Sequence, residues 1–299
     1  MTVANGSAVK YYYTVETAGE IAATAPAFLP IRFNSANLSR STAQVDSGEI
    51  GSRQRPVAKQ GTYSVQGEIA SELSDASFDA LLEMAMQSTW ATNTLKVGST
   101  VQTISILERH TDTGEDYVYS NCRINTVAVS ASVDARVAIT FGVIGADQQE
   151  YTVPGDATFA TAGTSEPMVT SVGSITEGGS ALAYATAYDF TLNNGMSPIF
   201  ALAQRSAYDV SNGMFTVTGN LSAYAPDGTL YAKFLNETDT TLAFQCSDGA
   251  NTMTFTFPAV IYTQAEAPVA GDGALISSYT FSAGYDATAV TTVTITRSA

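Results

Sequence analysis

One short segment occurs twice, and its spacing constrains the fold more than any other feature of the chain. Residues 61–69 read Gly-Thr-Tyr-Ser-Val-Gln-Gly-Glu-Ile and residues 213–221 read Gly-Met-Phe-Thr-Val-Thr-Gly-Asn-Leu, an offset of 213 − 61 = 152. Apolar side chains fall on the odd positions, Tyr63, Val65 and Ile69, then Phe215, Val217 and Leu221. Polar ones fall on the even positions, Ser64, Gln66 and Glu68, then Thr216, Thr218 and Asn220. Such period-two alternation describes a strand with one buried and one wet face. The same offset relates Asp75 to Asp227, each ahead of a short helical pattern, so the 299 residues are expected to hold one unit twice.

The rest of each copy follows a common plan. Phe78, Leu81, Leu82, Ala85 and Met86 form the apolar stripe of an amphipathic helix, with Ser74 or Asp75 as its expected cap. Copy two has a shorter version, Leu230, Phe234 and Leu235, entered through Pro226-Asp227-Gly228. Strands are expected at 101–107, 117–119, 123–129 and 137–143 in copy one. Copy two offers 242–244, 253–257, 260–262 and 276–281. Turn pairs such as Asn194-Gly195, Asp248-Gly249 and Asp272-Gly273 separate these runs. Ile31-Arg32-Phe33-Asn34 lines up loosely with Phe190-Thr191-Leu192-Asn193, which gives copy one a connecting loop seven residues longer (27 positions from Asn34 to Gly61 against 20 from Asn193 to Gly213). The Thr-, Gly-, Ala- and Pro-rich stretch 151–165 is the expected junction, dividing the chain into 1–163 and 164–299.

Composition narrows the function. Charged residues are only 14% of the chain, and Thr, Ser, Ala, Gly and Tyr take their place, as in sheets with tight turns. Net charge is −15, divided as 10 basic and 16 acidic residues in 1–150 (−6) and 3 and 12 in 151–299 (−9). A duplex reader neutralises phosphates with Lys and Arg, so specific DNA binding is not expected. Cys122 and Cys246 are too few for a disulfide framework. No basic segment followed by an apolar run opens the sequence and no run approaches a membrane span, so folding in the cytoplasm with reduced thiols is expected.

Catalytic constellations are sparse. The single histidine, His110, lies in Glu108-Arg-His-Thr-Asp-Thr-Gly-Glu-Asp116, which reads as a hairpin loop. Asp112-Thr113-Gly114 resembles an aspartic-protease triplet, but that chemistry needs two such carboxylates between apolar strands, and no second triplet exists. No nucleophile elbow, zinc spacing or phosphate loop occurs. Asp112, Glu115 and Asp116 lack the EF-hand order for calcium. Distant paired carboxylates for glycoside hydrolysis stay open, and Tyr11, Tyr12 and Tyr13 suit either a sugar platform or a strand packed on a partner. No enzyme activity and no cofactor are expected.

The run Leu192-Asn-Asn-Gly-Met-Ser-Pro-Ile-Phe200, with Tyr208-Asp-Val-Ser-Asn-Gly-Met-Phe-Thr-Val-Thr-Gly-Asn-Leu221 and Leu230-Tyr-Ala-Lys-Phe234, resembles the C-terminal half of the major tail tube proteins of siphophages, the phages with long non-contractile tails. Ser47-Gly-Glu-Ile-Gly-Ser-Arg-Gln-Arg55 and Gly67-Glu-Ile-Ala-Ser-Glu-Leu73, before Phe78-Asp-Ala-Leu-Leu82 and Trp90, are similar to the same family. The resemblance implies a mainly β protein of two tandem tail-tube-like sandwich or barrel domains, each with a flanking helix. Their sheets would join between subunits into a large β-barrel tube. It also implies stacked rings that conduct DNA during ejection, and contacts with tape-measure, tail terminator and tail-tip proteins in a virion tail assembled in the host cytoplasm. A doubled copy favours trimeric, pseudo-hexameric rings over hexamers.

Physical reasoning reaches a compatible picture. An open sheet edge is an aggregation hazard unless something pairs with it, and closing many sheets into one wide barrel removes the edges and leaves a lumen. Gln66, Glu68, Thr218 and Asn220 on the wet face are then the candidate lumen wall, poor in cations so that DNA slides. The loop at about 35–60 carries Asp46, Glu49, Arg53, Arg55 and Lys59, which the resemblance makes an inter-ring contact and simple solvation would equally explain. Two rival readings are another self-assembling β-protein of a surface layer or secretion tube, and a carbohydrate-binding sandwich. Rings against a stable monomer would separate them.

Overall fold

The computed structural model describes residues 5–17, 19–46, 48, 54, 57–224, 228–268 and 273–298. The first half contains β1 (Val9–Val15), β2 (Ala27–Ile31), β3 (Ser35–Ala36), β4 (Ser39–Val45) and β5 (Lys59–Glu72), then helix α1 (Asp79–Met86). It continues with β6 (Thr94–Lys96), β7 (Ile104–His110), β8 (Asp116–Ser132), β9 (Ala138–Gly145), β10 (Asp147–Glu150) and β11 (Thr158–Phe159). The second half contains β12 (Val169–Glu177), β13 (Ser180–Ala181), β14 (Ala185–Asn193), β15 (Ser197–Ile199), β16 (Asp209–Ser211) and β17 (Thr216–Tyr224), then helix α2 (Thr229–Leu235). It ends with β18 (Thr240–Ser247), β19 (Thr252–Glu266), β20 (Ile276–Ala283) and β21 (Thr294–Arg297). The protein is mainly β, as the sequence led us to expect.

A long antiparallel sheet runs β4-β5-β9-β8-β14-β17-β20-β19. Two flanking sheets pack on one side of it. The first runs β2-β1-β7-β8-β10 and the second β12-β18-β19-β21-β6. Strands β8 and β19 belong to both layers, their first halves in a flanking sheet and their second halves in the long sheet. Sequence reading split each of them in two, as 117–119 with 123–129 and as 253–257 with 260–262. The split marks the bend between layers: Asn121 takes a positive φ of 50° in β8, and Pro258, which has no N–H to donate, lies at the corresponding bend of β19.

The apolar core lies between the layers. Val65, Ile69 and Phe141 from the long sheet meet Ile106 and Tyr119 from the first flanking sheet. In the second half aromatic rings pack together: Phe190 stacks on Phe244 at 5.6 Å and meets Phe257 edge-on at 5.1 Å, and Phe257 lies tilted 6.0 Å from Phe281. Helix α1 buries Leu81, Leu82, Met84, Ala85 and Met86, close to the expected stripe. Its cap differs from expectation. Phe78 occupies the N-cap without a side-chain bond, while Ser74 is bound to Arg32 at 3.0 Å and to Ser77 at 2.8 Å. Helix α2 buries only Leu230 and leaves Leu235 exposed; Pro226, Asp227 and Asp272 lie outside the described residues.

The strand order repeats in detail. Adding 152 carries the β4–β5 ladder onto β14–β17: Ser39↔Gln66 becomes Thr191↔Thr218, and Val45↔Lys59 becomes Ser197↔Ser211. Both ladders carry a one-residue register shift, between Thr42 and Gln44 in the first and between the Asn193↔Thr216 and Ser197↔Ser211 pairs in the second. Adding 138 carries β8–β9 onto β19–β20, and the shift at Ile124/Thr126 reappears at Tyr262/Gln264. The shift at Ile104/Ile106 reappears at Thr240/Leu242. Register irregularities disrupt a ladder locally, so their coincidence is a stringent sign of a doubled unit.

This register corrects one expectation. Ile31 ends β2 in a flanking sheet, whereas Phe190 to Asn193 belong to β14 of the long sheet, so the two segments are not counterparts. The counterpart of Thr191 is Ser39. With that pairing the two connections, residues 46–58 and 198–210, are equal in length, and copy one carries no extra seven residues.

Candidate assembly interface

Where the two halves of the long sheet meet, β8 pairs with β14 over seven residue pairs, from Ala187↔Ser132 to Asn193↔Thr126. On the core side of this seam Val127 faces Leu192 and Val129 faces Phe190, all at most 1% exposed. The other side pairs Thr126 with Asn193, Ala128 with Thr191 and Ser130 with Asp189. Asn194 locks the end of the seam: its buried amide donates to the Ala85 carbonyl at 2.8 Å and to the Ile124 carbonyl at 3.2 Å. Sequence reading placed Asn194 only as part of a turn with Gly195, which does take a positive φ of 59°. A side chain reaching a helix carbonyl 109 residues away leaves no local signal.

The outer edges of the long sheet are the counterparts of the seam strands. Among the described residues, β4 is laddered only to β5; one further bond reaches it, from Arg40 N–H to Gln148 Oε1 at 3.2 Å. The second half of β19 is laddered there only to β20. The β4 edge exposes Ser39, Ser41 and Gln44, and the β19 edge exposes Thr263, Gln264 and Glu266.

The four residues singled out for the wet face share the side of the long sheet turned away from the core. Gln66, Glu68 and Thr218 are exposed and Asn220 is half-buried, while their neighbours Val65, Ile69, Val217 and Leu221 are at most 1% exposed. Asn220 donates to Asp189 Oδ2 at 3.0 Å and accepts from Thr280 Oγ1 at 2.9 Å, a row of cross-strand polar bonds. By strand register Glu68, Glu72, Asp189 and Glu266 lie on this face. The arginines beside it are paired, Arg123 with Asp209 at 2.5 Å and Arg136 with Glu72 at 2.6 Å. Hairpin β15–β16 covers one end of the face, where Ile144, Met196 and Val210 form a small separate cluster and Ser64 is buried.

The stretch 35–60 expected as loop holds β3, β4 and the start of β5; of its five charges Asp46 is exposed just past β4, Lys59 is exposed as the first residue of β5, and Glu49, Arg53 and Arg55 lie outside the described residues. The counterpart loop is residues 198–210. It folds back onto β5, where Tyr63 N–H donates to the Arg205 carbonyl at 2.7 Å and Ala207 N–H donates to the Tyr63 carbonyl at 3.0 Å. Leu202 at its tip is fully exposed, as are Phe200 and Tyr208 in large part.

The titratable groups are held for structure. Asp112 and Asp248 occupy equivalent hairpin turns (β7–β8 and β18–β19), and backbone N–H donors hold both carboxyls below the usual range. His110 lies at the end of β7, 3.0 Å from Glu108. Burial raises both thiols, that of Cys246 to about 11 even though the Tyr188 hydroxyl sits 3.1 Å away. Among the described residues no cluster of three His, Cys, Asp or Glu side chains is disposed to hold a metal, and no helix is long and apolar enough to cross a membrane.

A doubled sheet unit with paired internal seam and open outer edges defines a structural building block. A family model for phage tail tube proteins matches residues 6–283, and the chain belongs to that family. It is a structural protein of the bacteriophage tail, from a family that is not an enzyme family. No curated protein matches the chain.

Proposed function

We propose that the chain is the major tail tube subunit, built of two tail-tube domains, residues 1–163 and 164–299, and that three chains close into a pseudo-hexameric ring. The observation that carries this reading is the β8–β14 seam. It joins two equivalent four-stranded halves and leaves their counterparts, the second half of β19 and β4, without a second ladder partner among the described residues. Repeating one seam head to tail closes a ring and removes both edges. Eight strands from each of three chains make a barrel of 24, wide enough for a lumen.

Rings stack into the conduit for DNA ejection. The face bearing Gln66, Glu68, Thr218 and Asn220 lines the bore, and its acids and neutral polar groups keep phosphates from binding. The loop carrying Asp46, Glu49, Arg53, Arg55 and Lys59 reaches the next ring. Tape-measure, terminator and tip proteins complete the assembly in the host cytoplasm. Negative-stain microscopy of the purified protein tests the reading: rings or hollow tubes support it, and a monodisperse monomer under all assembly conditions contradicts it and favours a sandwich binding module.

A further inference from the structure

The internal seam also carries a residue-level prescription for the contact between chains. Strand β8 maps onto β19 by adding 138, and β14 maps onto β4 by subtracting 152, with register shifts in the same places. Applying both shifts to the seam converts Thr126↔Asn193 into Gln264↔Ser41, Val127↔Leu192 into Ala265↔Arg40, and Ala128↔Thr191 into Glu266↔Ser39. Resting on the ring reading above, we infer that the second half of β19 pairs antiparallel with β4 of the next copy of this chain in that register. Gln264 then faces Ser41 and Glu266 faces Ser39 on the polar side.

The two edges differ from the seam in one physical respect. At the seam the core-side pairs are Val127 with Leu192 and Val129 with Phe190, all buried. At the edge their counterparts are Ala265 with Arg40 and Ala267 with Leu38. Arg40 is opposite Val65, so its side chain points to the core side, where the guanidinium sits 3.9 Å above the Tyr63 ring. An inward-pointing charge on an edge strand is a recognised guard against indiscriminate pairing. The contact between chains is therefore built for backbone pairing with little apolar drive, while the seam within a chain is permanent. A free subunit keeps a guarded edge until a neighbour in the right register covers it.

Cysteine pairs read the register directly, because a disulfide requires Cβ atoms roughly 3.5–4.5 Å apart. Ser41 and Gln264 are exposed, and the native thiols are buried, so only the introduced pair should respond. Tubes assembled from Ser41→Cys/Gln264→Cys and oxidised mildly should give chain-to-chain cross-links on non-reducing gels, ending at the closed ring. The shifted pair Ser39→Cys/Gln264→Cys should give few or none. Cross-linking of the shifted pair instead, in intact tubes, would overturn the register and leave the ring reading standing. No cross-link from either pair in intact tubes would overturn β19–β4 pairing itself. Should a double variant fail to assemble, chains carrying Ser41→Cys alone and Gln264→Cys alone are co-assembled with wild type. Dimers confined to the mixture of the two support the inference, and their absence contradicts it. If wild type itself forms neither rings nor tubes, the ring reading fails before the register is tested.

Discussion

Gly67 and Gly219 occupy the same place in two ladders, 152 residues apart, and each lies where a side chain would strike the backbone alongside it. A Cβ on Gly67 would come within 2.7 Å of the Asn37 carbonyl oxygen, and one on Gly219 within 2.4 Å of that of Asp189. The obstacle is backbone in both cases, so it cannot rotate aside. Gly67→Ala and Gly219→Ala are expected to lower stability by about 1–3 kcal/mol each, read as a lower urea midpoint. Gly155→Ala, with open space around it, is the control and should leave the midpoint unchanged. Equal midpoints for all three variants would contradict the close approach of β5 and β17 to their neighbours.

The turn aspartates give a pH signature. Asp248 accepts from Asn251 N–H at 2.6 Å and from Ala250 N–H at 2.8 Å, which favours the charged form and depresses its pKa. A folded pKa below the unfolded value stabilises the protein above about pH 4 and loses that contribution as pH falls through the folded value. Asp248→Ala should therefore be less stable than wild type at pH 7, with the gap narrowing at acid pH in denaturant titrations. Asp112→Ala should behave alike, since Asn5 N–H donates to its carboxylate at 2.7 Å. A gap that stays constant from pH 7 to the acid limit would contradict the charged-acceptor account.

Placing Lys at positions 66, 68, 218 and 220 should slow DNA ejection from otherwise intact tails, because each added cation near phosphate contributes salt-dependent affinity. Raising salt should restore the rate. Ejection at wild-type speed from intact quadruple-variant tails would remove these residues from the bore.

Deleting residues 46–58 removes four of the five charges, Asp46, Glu49, Arg53 and Arg55, and leaves β4 and β5 whole. Soluble subunits that no longer polymerise are expected, measured by sedimentation and microscopy. Normal tubes from the deletion would return the loop to a merely solvated role.

Much of this architecture was legible in the sequence, for identifiable reasons. Val65 and Val217 announce their strands because one face is buried and the other wet, so the alternation is regular. The helix of residues 79–86 follows from Leu81, Leu82 and Ala85 at helical spacing. Strand β4 falls inside the stretch expected to be loop, 35–60, because Ser39-Arg-Ser-Thr-Ala-Gln-Val45 is polar or small on both faces, as an edge awaiting a partner is, and no period marks it. Strands β8 and β19 were each cut in two because their buried side changes as they pass from one layer to the other. The cap at Ser74 failed because Arg32, far away in sequence, claims that hydroxyl. The Asn194 bonds to Ala85 and Ile124 depend wholly on tertiary placement.

A cryo-electron microscopy reconstruction of assembled tubes counts the chains in one ring. Three chains, with the β19 edge of each against the β4 edge of the next and alternate seams covalently continuous, is the result expected of a doubled unit. Six chains per ring, or a bore lined by the core side of the long sheet, would contradict it.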